Sequence, residues 1–176
     1  MAMRILTAED AALYRAIRMA ALEERPPAFG SLPEAEPDLH EMATRLSATR
    51  DRCFLGAIHD EQLVGVIRIS HYDATNEKHR AYLAGLFVSP PLRRCGYGRA
   101  LVRAALDRAT SDPAIRRVNL TVVTEQRAAI SLYESFGFAI YGTEREAFSC
   151  DGRLYDEHLM TLDLTPAQNR RERPVA

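Results

Sequence analysis

Apolar positions recur along this chain in two rhythms, short β-branched runs and runs at helical spacing, and their order predicts most of the elements. Leu13, Ala16, Ile17 and Ala20 follow helical spacing behind Thr7-x-x-Asp10. In that pattern the first and fourth side chains satisfy each other's backbone N–H groups, so a first helix is expected, ended by Pro26-Pro27. Asp38-x-x-Glu41 repeats the pattern before Leu39, Met42, Ala43 and Leu46 and predicts a second helix over residues 38–49. Residues 53–58 and 63–69 read as strands about a polar turn at 59–62, and residues 82–88 as the next strand. A helix over 99–110 buries Leu101, Val102, Ala105, Leu106 and Ala109. Residues 118–123 are β-branched and apolar, which suits a buried parallel neighbour of 82–88 with the helix as right-handed crossover. A helix over 124–136 follows, with Thr124 as N-cap, Ala129, Leu132, Tyr133 and Phe136 on one face, and Gly137 as its stop. The chain closes with a hairpin, 138–148 and 154–164, turning at Asp151-Gly152. The polar tail 165–176 is expected to be disordered.

At 176 residues and 47% apolar content the chain suits one domain, over residues 3–164. A net charge of −1 gives no overall attraction to nucleic acid or to an anionic membrane, so recognition must be local. No apolar run approaches the length of a membrane span and no basic-then-apolar leader precedes the first helix, so a soluble, cytoplasmic protein is expected. Cys53, Cys95 and Cys150 are odd in number, widely spaced and far from any His cluster, which argues against a zinc site or a disulfide framework. No metal is expected. Cys95 reads as a small loop residue in preference to a redox centre, although nearby positive charge favours its thiolate.

The chemistry concentrates at residues 82–99, where an apolar strand runs into a basic, glycine-bearing turn that opens a helix. Backbone N–H groups at a helix start lack intrahelical partners and carry the positive end of the dipole, and glycine lets an anion approach the main chain closely. Arg93, Arg94 and Arg99 add fixed positive charge. A dinucleotide fingerprint fails here because Leu101 stands where the third small residue belongs, and a P-loop fails because Gly98-Arg99-Ala100 replaces Gly-Lys-Ser/Thr.

Arg93-x-x-Gly96-x-Gly98 after Val88, followed by Ala129-x-x-Leu132-Tyr133-Glu134-x-x-Gly137-Phe138, resembles the two ordered motifs of the GCN5-related N-acetyltransferases. The resemblance implies an α/β (α+β) fold with a mixed, mostly antiparallel sheet, a splayed parallel strand pair and flanking helices. It implies acetyl-coenzyme A as acetyl donor, held by Leu86, Phe87 and Val88 on the strand, by Arg93, Arg94, Cys95, Gly96, Tyr97, Gly98 and Arg99 in the turn, and by Gln126, which stands where the family commonly has Asn. Leu86 N–H would face the thioester carbonyl and Val88 the pantetheine amide. Tyr133 matches the tyrosine that serves as acid toward the coenzyme A thiolate.

The general base stays open. Several family members carry Glu where this chain has Tyr82, so the candidates are Asp156, Glu157, His158, His71, His79 or a relayed water. The acceptor side should lie in the first two helices and their connection. Glu23, Glu24, Glu34, Glu36, Asp38 and Glu41 outnumber Arg25 there, which predicts steering of a cationic amine, or else only helix caps and solvated surface. Pro26-Pro27-Ala28-Phe29-Gly30-Ser31 is similar to a stretch common in small-molecule members. The leading expectation is N-acetyl transfer by direct attack in a ternary complex on a primary amine of a small molecule or peptide. The alternatives are a non-catalytic acyl-coenzyme A sensor or interaction module and a protein Nα-acetyltransferase. No nucleic-acid or membrane partner is expected, and a homodimer is left open.

Overall fold

The computed structural model describes residues 1–164 other than 25, 26, 32, 48, 50 and 73, so the expected disorder of 165–176 lies outside the described residues. Among these residues seven strands form one sheet: β1 (Ala2–Ile5), β2 (Arg52–His59), β3 (Gln62–His71), β4 (Arg80–Val88), β5 (Arg117–Val123), β6 (Ala139–Cys150) and β7 (Arg153–Asp163). Their order is β1-β2-β3-β4-β5-β7-β6, with β4 and β5 parallel and every other pair antiparallel. Among the described residues four α-helices flank the sheet: α1 (Ala11–Leu22), α2 (Leu39–Leu46), α3 (Tyr97–Thr110) and α4 (Arg127–Glu134).

Two apolar clusters occupy the two faces. α3 and α4 bury Leu101, Val102, Ala105, Ile130 and Tyr133 against Leu55, Ile67, Leu83, Val118 and Leu120. α1 and α2 bury Tyr14, Ile17, Ala21, Met42 and Leu46 against Phe54, Val66 and Phe87. At about 1.5–3 kcal/mol for each large apolar side chain buried, these clusters rather than helix propensity hold the helices.

Some elements differ from the sequence expectation. β1 stands where the chain was expected to pass straight into a helix; its four residues are mostly exposed, so alternation leaves no trace there. Thr7 and Asp10 do pair, through Thr7 N–H donating to Asp10 Oδ2 at 2.8 Å, but a 3-10 turn over Ala8–Asp10 precedes α1 and rotates its buried face. Tyr14 faces inward and meets Phe54 edge-on, while Leu13 is exposed. Asp38 caps α2 as expected, its carboxylate accepting from Glu41 N–H at 2.8 Å. Thr124 is not an N-cap: its N–H donates to Asp156 O on β7, and α4 starts three residues later, behind Gln126.

β4 and β5 pair only over Arg80–Arg117, Ala81–Val118 and Tyr82–Asn119, and then part. On the other side of β4, Val66 pairs with Phe87 and Arg68 with Ala84, so Gly85 and Leu86 together oppose one residue of β3. Gly85 takes φ +66, which completes a bulge. The extra residue turns Phe87 to the α1–α2 face, although Leu83 faces α3.

Candidate active site

A cleft of about 1130 Å3 opens where β4 and β5 part. Its cofactor end is the turn after β4. Gly96 is the N-cap of α3 at φ +88 and Arg94 stands at φ +63, so the chain folds back on itself and leaves the first N–H groups of α3 facing outward. Arg93 Nε donates to Val88 O at 2.9 Å, its NH2 pairs with Glu24, and its guanidinium lies over Phe87. Arg99 stacks on Phe136. Gly98 serves a second purpose: a Cβ there would stand 3.3 Å from Leu132 Cδ2, so it also permits close approach of α3 and α4.

Leu86, Phe87, Val88, Arg93, Arg94, Gly96, Gly98, Arg99, Gln126 and Tyr133 all line this cleft. Cys95 and Tyr97 do not. Cys95 is exposed with a free thiol, and Tyr97 is buried with its hydroxyl bonded to His59 Nδ1 at 2.8 Å, which leaves only its backbone to the turn. Gln126 Nε2 donates to Pro27 O at 3.4 Å and so ties the start of α4 to the α1–α2 connection. Tyr133 is buried, packed edge-on against Phe138, and burial first, then the nearby Tyr82, pushes its pKa well above the ordinary phenol value. Its hydroxyl has no hydrogen-bond partner among the described residues.

The candidate bases separate by strand face. Asp156 Oδ1 accepts from Glu146 N–H and His158 Nδ1 bonds Thr143 Oγ1, both on the side of β7 away from the cleft. His71 lies near Asp51, and neither it nor His79 lines the cleft. Glu157 lines it. Burial raises the Glu157 pKa, a hydrogen bond with Thr121 opposes that, and Glu144 across the β6–β7 pair adds to the rise. Thr121 Oγ1 also meets Tyr82 OH at 2.9 Å, so the residue at the family's glutamate position is linked to a carboxylate through one hydroxyl. Thr121 went unnoticed in the sequence because it is one β-branched residue among several.

The acidic stretch is neutralised only in part, and Glu23 and Glu34 are exposed. Glu24 pairs with Arg93, Glu36 with Arg18 at 3.2 Å, and Glu41 with Arg45 at 2.6 Å, while Asp38 caps α2. Ala28, Phe29, Gly30 and Ser31 of the connection line the cleft. Among the described residues no group of three or more His, Cys, Asp or Glu is placed to hold a metal ion, and no helix is long and apolar enough to cross a membrane.

The profile of the Acetyltransferase (GNAT) family matches residues 15–138. The chain belongs to this family. It is 33% identical over 114 residues to human N-acetyltransferase 8, a match over 64% of this chain that spans about half, 48%, of that relative's length. It is 26% identical over 140 residues to spermidine N(1)-acetyltransferase of Vibrio cholerae, covering 79% of each chain. The fold matches that of yncA from Salmonella typhimurium, solved with its cofactor acetyl-CoA, with a TM-score of 0.83 at 19% identity over 100% of this chain and 98% of that one.

The chain is therefore an acyltransferase of the GNAT type, and its cleft fits acetyl-CoA on its own terms. The N–H groups of α3, the left-handed Gly96 and three arginines make an anion cradle. The edge of β4 beyond Tyr82 has no strand partner on its β5 side, which leaves amide groups for an extended ligand.

Proposed function

We propose that this protein transfers the acetyl group of acetyl-CoA to a primary amine of a small molecule or peptide by direct attack, both substrates being bound together. The observation that carries the reading is one continuous cleft running from the anion cradle, along the unpaired edge of β4, to Tyr133 and Glu157. Bound acetyl-CoA supplies an acetyl group already activated as a thioester.

The protein's residues supply the rest. Arg93, Arg94, Arg99 and the N–H groups of α3 would hold the pyrophosphate, and Leu86 N–H would serve the thioester carbonyl. The Glu157 carboxylate takes the proton that the amine nitrogen must shed, and burial tunes it toward that work. Tyr133 holds its phenolic proton against the departing sulfur. Because burial disfavours its anion, Tyr133 would act chiefly as a hydrogen-bond donor that keeps its proton. Direct attack is supported by the cysteines: Cys53, Cys95 and Cys150 all lie outside the cleft lining, so none is placed to carry the acetyl group.

Thiol release from acetyl-CoA across a panel of primary amines, with the acetylated product identified by mass, tests the proposal. Amine-dependent release at a 1:1 ratio with acetylated product is expected. Tight acetyl-CoA binding without release for any amine would leave a binding module.

A further inference from the structure

The acceptor half of the cleft is more cationic than an amine alone needs. On the sheet face under α1 and α2, β2, β3 and β4 place Arg52, Ser70 and Tyr82 in one row and Phe54, Arg68 and Ala84 in the next. Arg52 and Arg68 both line the cleft. The nearby helix arginines are neutralised, Arg18 by Glu36 and Arg45 by Glu41. The two sheet arginines are not. Nε of each is buried without a hydrogen-bond partner, and neither guanidinium forms an ion pair with a described residue.

A guanidinium keeps its charge in almost any setting, and a half-buried one without a counter-ion is costly. Arg68 carries this cost visibly: burial lowers its pKa, and the positive charges of Arg18 and Arg52 push the same way. The cofactor phosphates do not answer it, because Ala84, the β4 partner of Arg68, lies four residues before Val88, about 13 Å of strand from the cradle.

Resting on the transferase reading above, we propose that the acceptor amine also carries an oxyanion, a carboxylate or a phosphate, bound by Arg68 and Arg52. Tyr82 on β4 stands between Thr121 on β5, whose hydroxyl it meets at 2.9 Å, and the two arginines, Arg68 one strand away on β3 and Arg52 a further strand out on β2, at about 4.8 Å per strand. A molecule whose amine and oxyanion are a few atoms apart therefore reaches from the arginines to the point where β4 and β5 part. Amino acids and amino-phosphates have this shape. A bare polyamine, the kind of acceptor named for the Vibrio cholerae relative, would leave both guanidinium groups unmatched and add like charge beside them.

The test compares matched pairs: L-phenylalanine with phenethylamine, L-leucine with isoamylamine, L-lysine with cadaverine, and O-phosphoethanolamine with ethanolamine, plus spermidine. In at least one pair the acidic member should exceed its partner in kcat/KM by about ten- to hundredfold, as expected for hydrogen bonds to charged groups. Whether the amino acids or the amino-phosphate show this ratio identifies the oxyanion. Arg68→Gln and, separately, Arg52→Gln should shrink the ratio, and Arg68→Lys should restore part of it, with acetyl-CoA affinity by calorimetry unchanged. Equal rates within every pair, or preference for spermidine, overturns the inference without touching the transferase reading. If nothing is acetylated, the transferase reading falls, and titration of the same compounds into the CoA-saturated protein decides the oxyanion site. Tighter binding of the acidic members upholds it; no difference overturns it.

Discussion

Tyr82, in the last paired rung of β4 and β5, meets Thr121 hydroxyl to hydroxyl at 2.9 Å, and the same Thr121 lowers the pKa of Glu157, which burial raises. A carboxylate on β7 is thereby connected, through Thr121, to the position where several members of the family carry Glu on β4. On the proposed mechanism the base therefore stands on β7, two strands across the sheet from Tyr82.

With Glu157 as the proposed base, that link sets the expected pH dependence. Glu157 has a raised pKa, so the active, deprotonated form is gained as pH rises through a value above the ordinary carboxylate range and lost below it. Glu157→Gln should lower kcat/KM by about a hundredfold or more and remove this acidic limb. Thr121→Val removes a bond that lowers the pKa, so the limb should move to higher pH. Profiles taken with one acceptor for wild type and both variants cancel the amine's own titration. Superimposable acidic limbs would return the role of base to water.

Tyr133→Phe should reduce kcat strongly, by about tenfold to a thousandfold, while the acetyl-CoA Kd changes little, because donation to sulfur matters as the bond breaks. Burial lifts the Tyr133 pKa, so the wild type should lose no activity to tyrosinate formation within the ordinary phenol range. A Kd that rises in step with the loss of kcat would make Tyr133 a packing residue.

The two glycines of the cradle should fail differently. Gly96 sits at φ +88 with open space around its Cβ position, where the nearest atom is Met1 Cε at 3.9 Å. Gly96→Ala therefore meets backbone strain of about 1–2 kcal/mol and should weaken acetyl-CoA binding by roughly tenfold. Gly98→Val instead collides with Leu132 and should lower Tm by more than Gly96→Ala does. Calorimetry and thermal melts on both variants check this; equal acetyl-CoA affinity in Gly96→Ala and wild type would remove the turn from the binding site.

Asp10 gives a stability prediction. Arg4, bonding both carboxylate oxygens at 2.6 Å, and the Thr7 N–H hold its pKa at about 2, down from 3.8. A lowered folded pKa means that these bonds stabilise fully above the unfolded value and are lost as pH falls through about 2. Asp10→Asn should cost about 1–2 kcal/mol at pH 7 and progressively less below pH 4. Urea melts at pH 7 and pH 3 measure the difference. A pH-independent cost would mean that the charge of Asp10 contributes nothing.

Where one element decides its own conformation, the sequence was legible. The spacing from Leu101 to Ala109, the β-branched run of β5, Gly137 at φ +92 and the Asp151-Gly152 turn with both residues at positive φ all stand as local patterning demands. The site needed long-range information. Asp156, Glu157 and His158 are consecutive, and only the register of β7 on β5 decides that Glu157 faces the cleft. Thr124 has the chemistry of a cap, yet its N–H is taken by β7. Of the acids between Glu23 and Glu41, the sequence did not show that Glu24, Glu36 and Glu41 each have an arginine partner. Arg68 did leave a mark, as the one charge inside the apolar run of β3, but its meaning depends on what the neighbouring strands set beside it.

The division of the apolar interior into two clusters, one on each face of the sheet, has a consequence for how this enzyme can change. Gly98, the start of α3 and Tyr133 rest on the cluster beneath α3 and α4, with Arg93 reaching across to Phe87 and Glu24, whereas the residues around Arg52 and Arg68 rest on the cluster beneath α1 and α2. Substitutions in clusters that share few partners combine nearly additively. Acceptor choice is thus a trait that can be rewritten in one layer while the donor-handling layer stays as it is. Libraries confined to α1, α2 and the facing positions of β2 and β3 are the economical place to seek new acceptors.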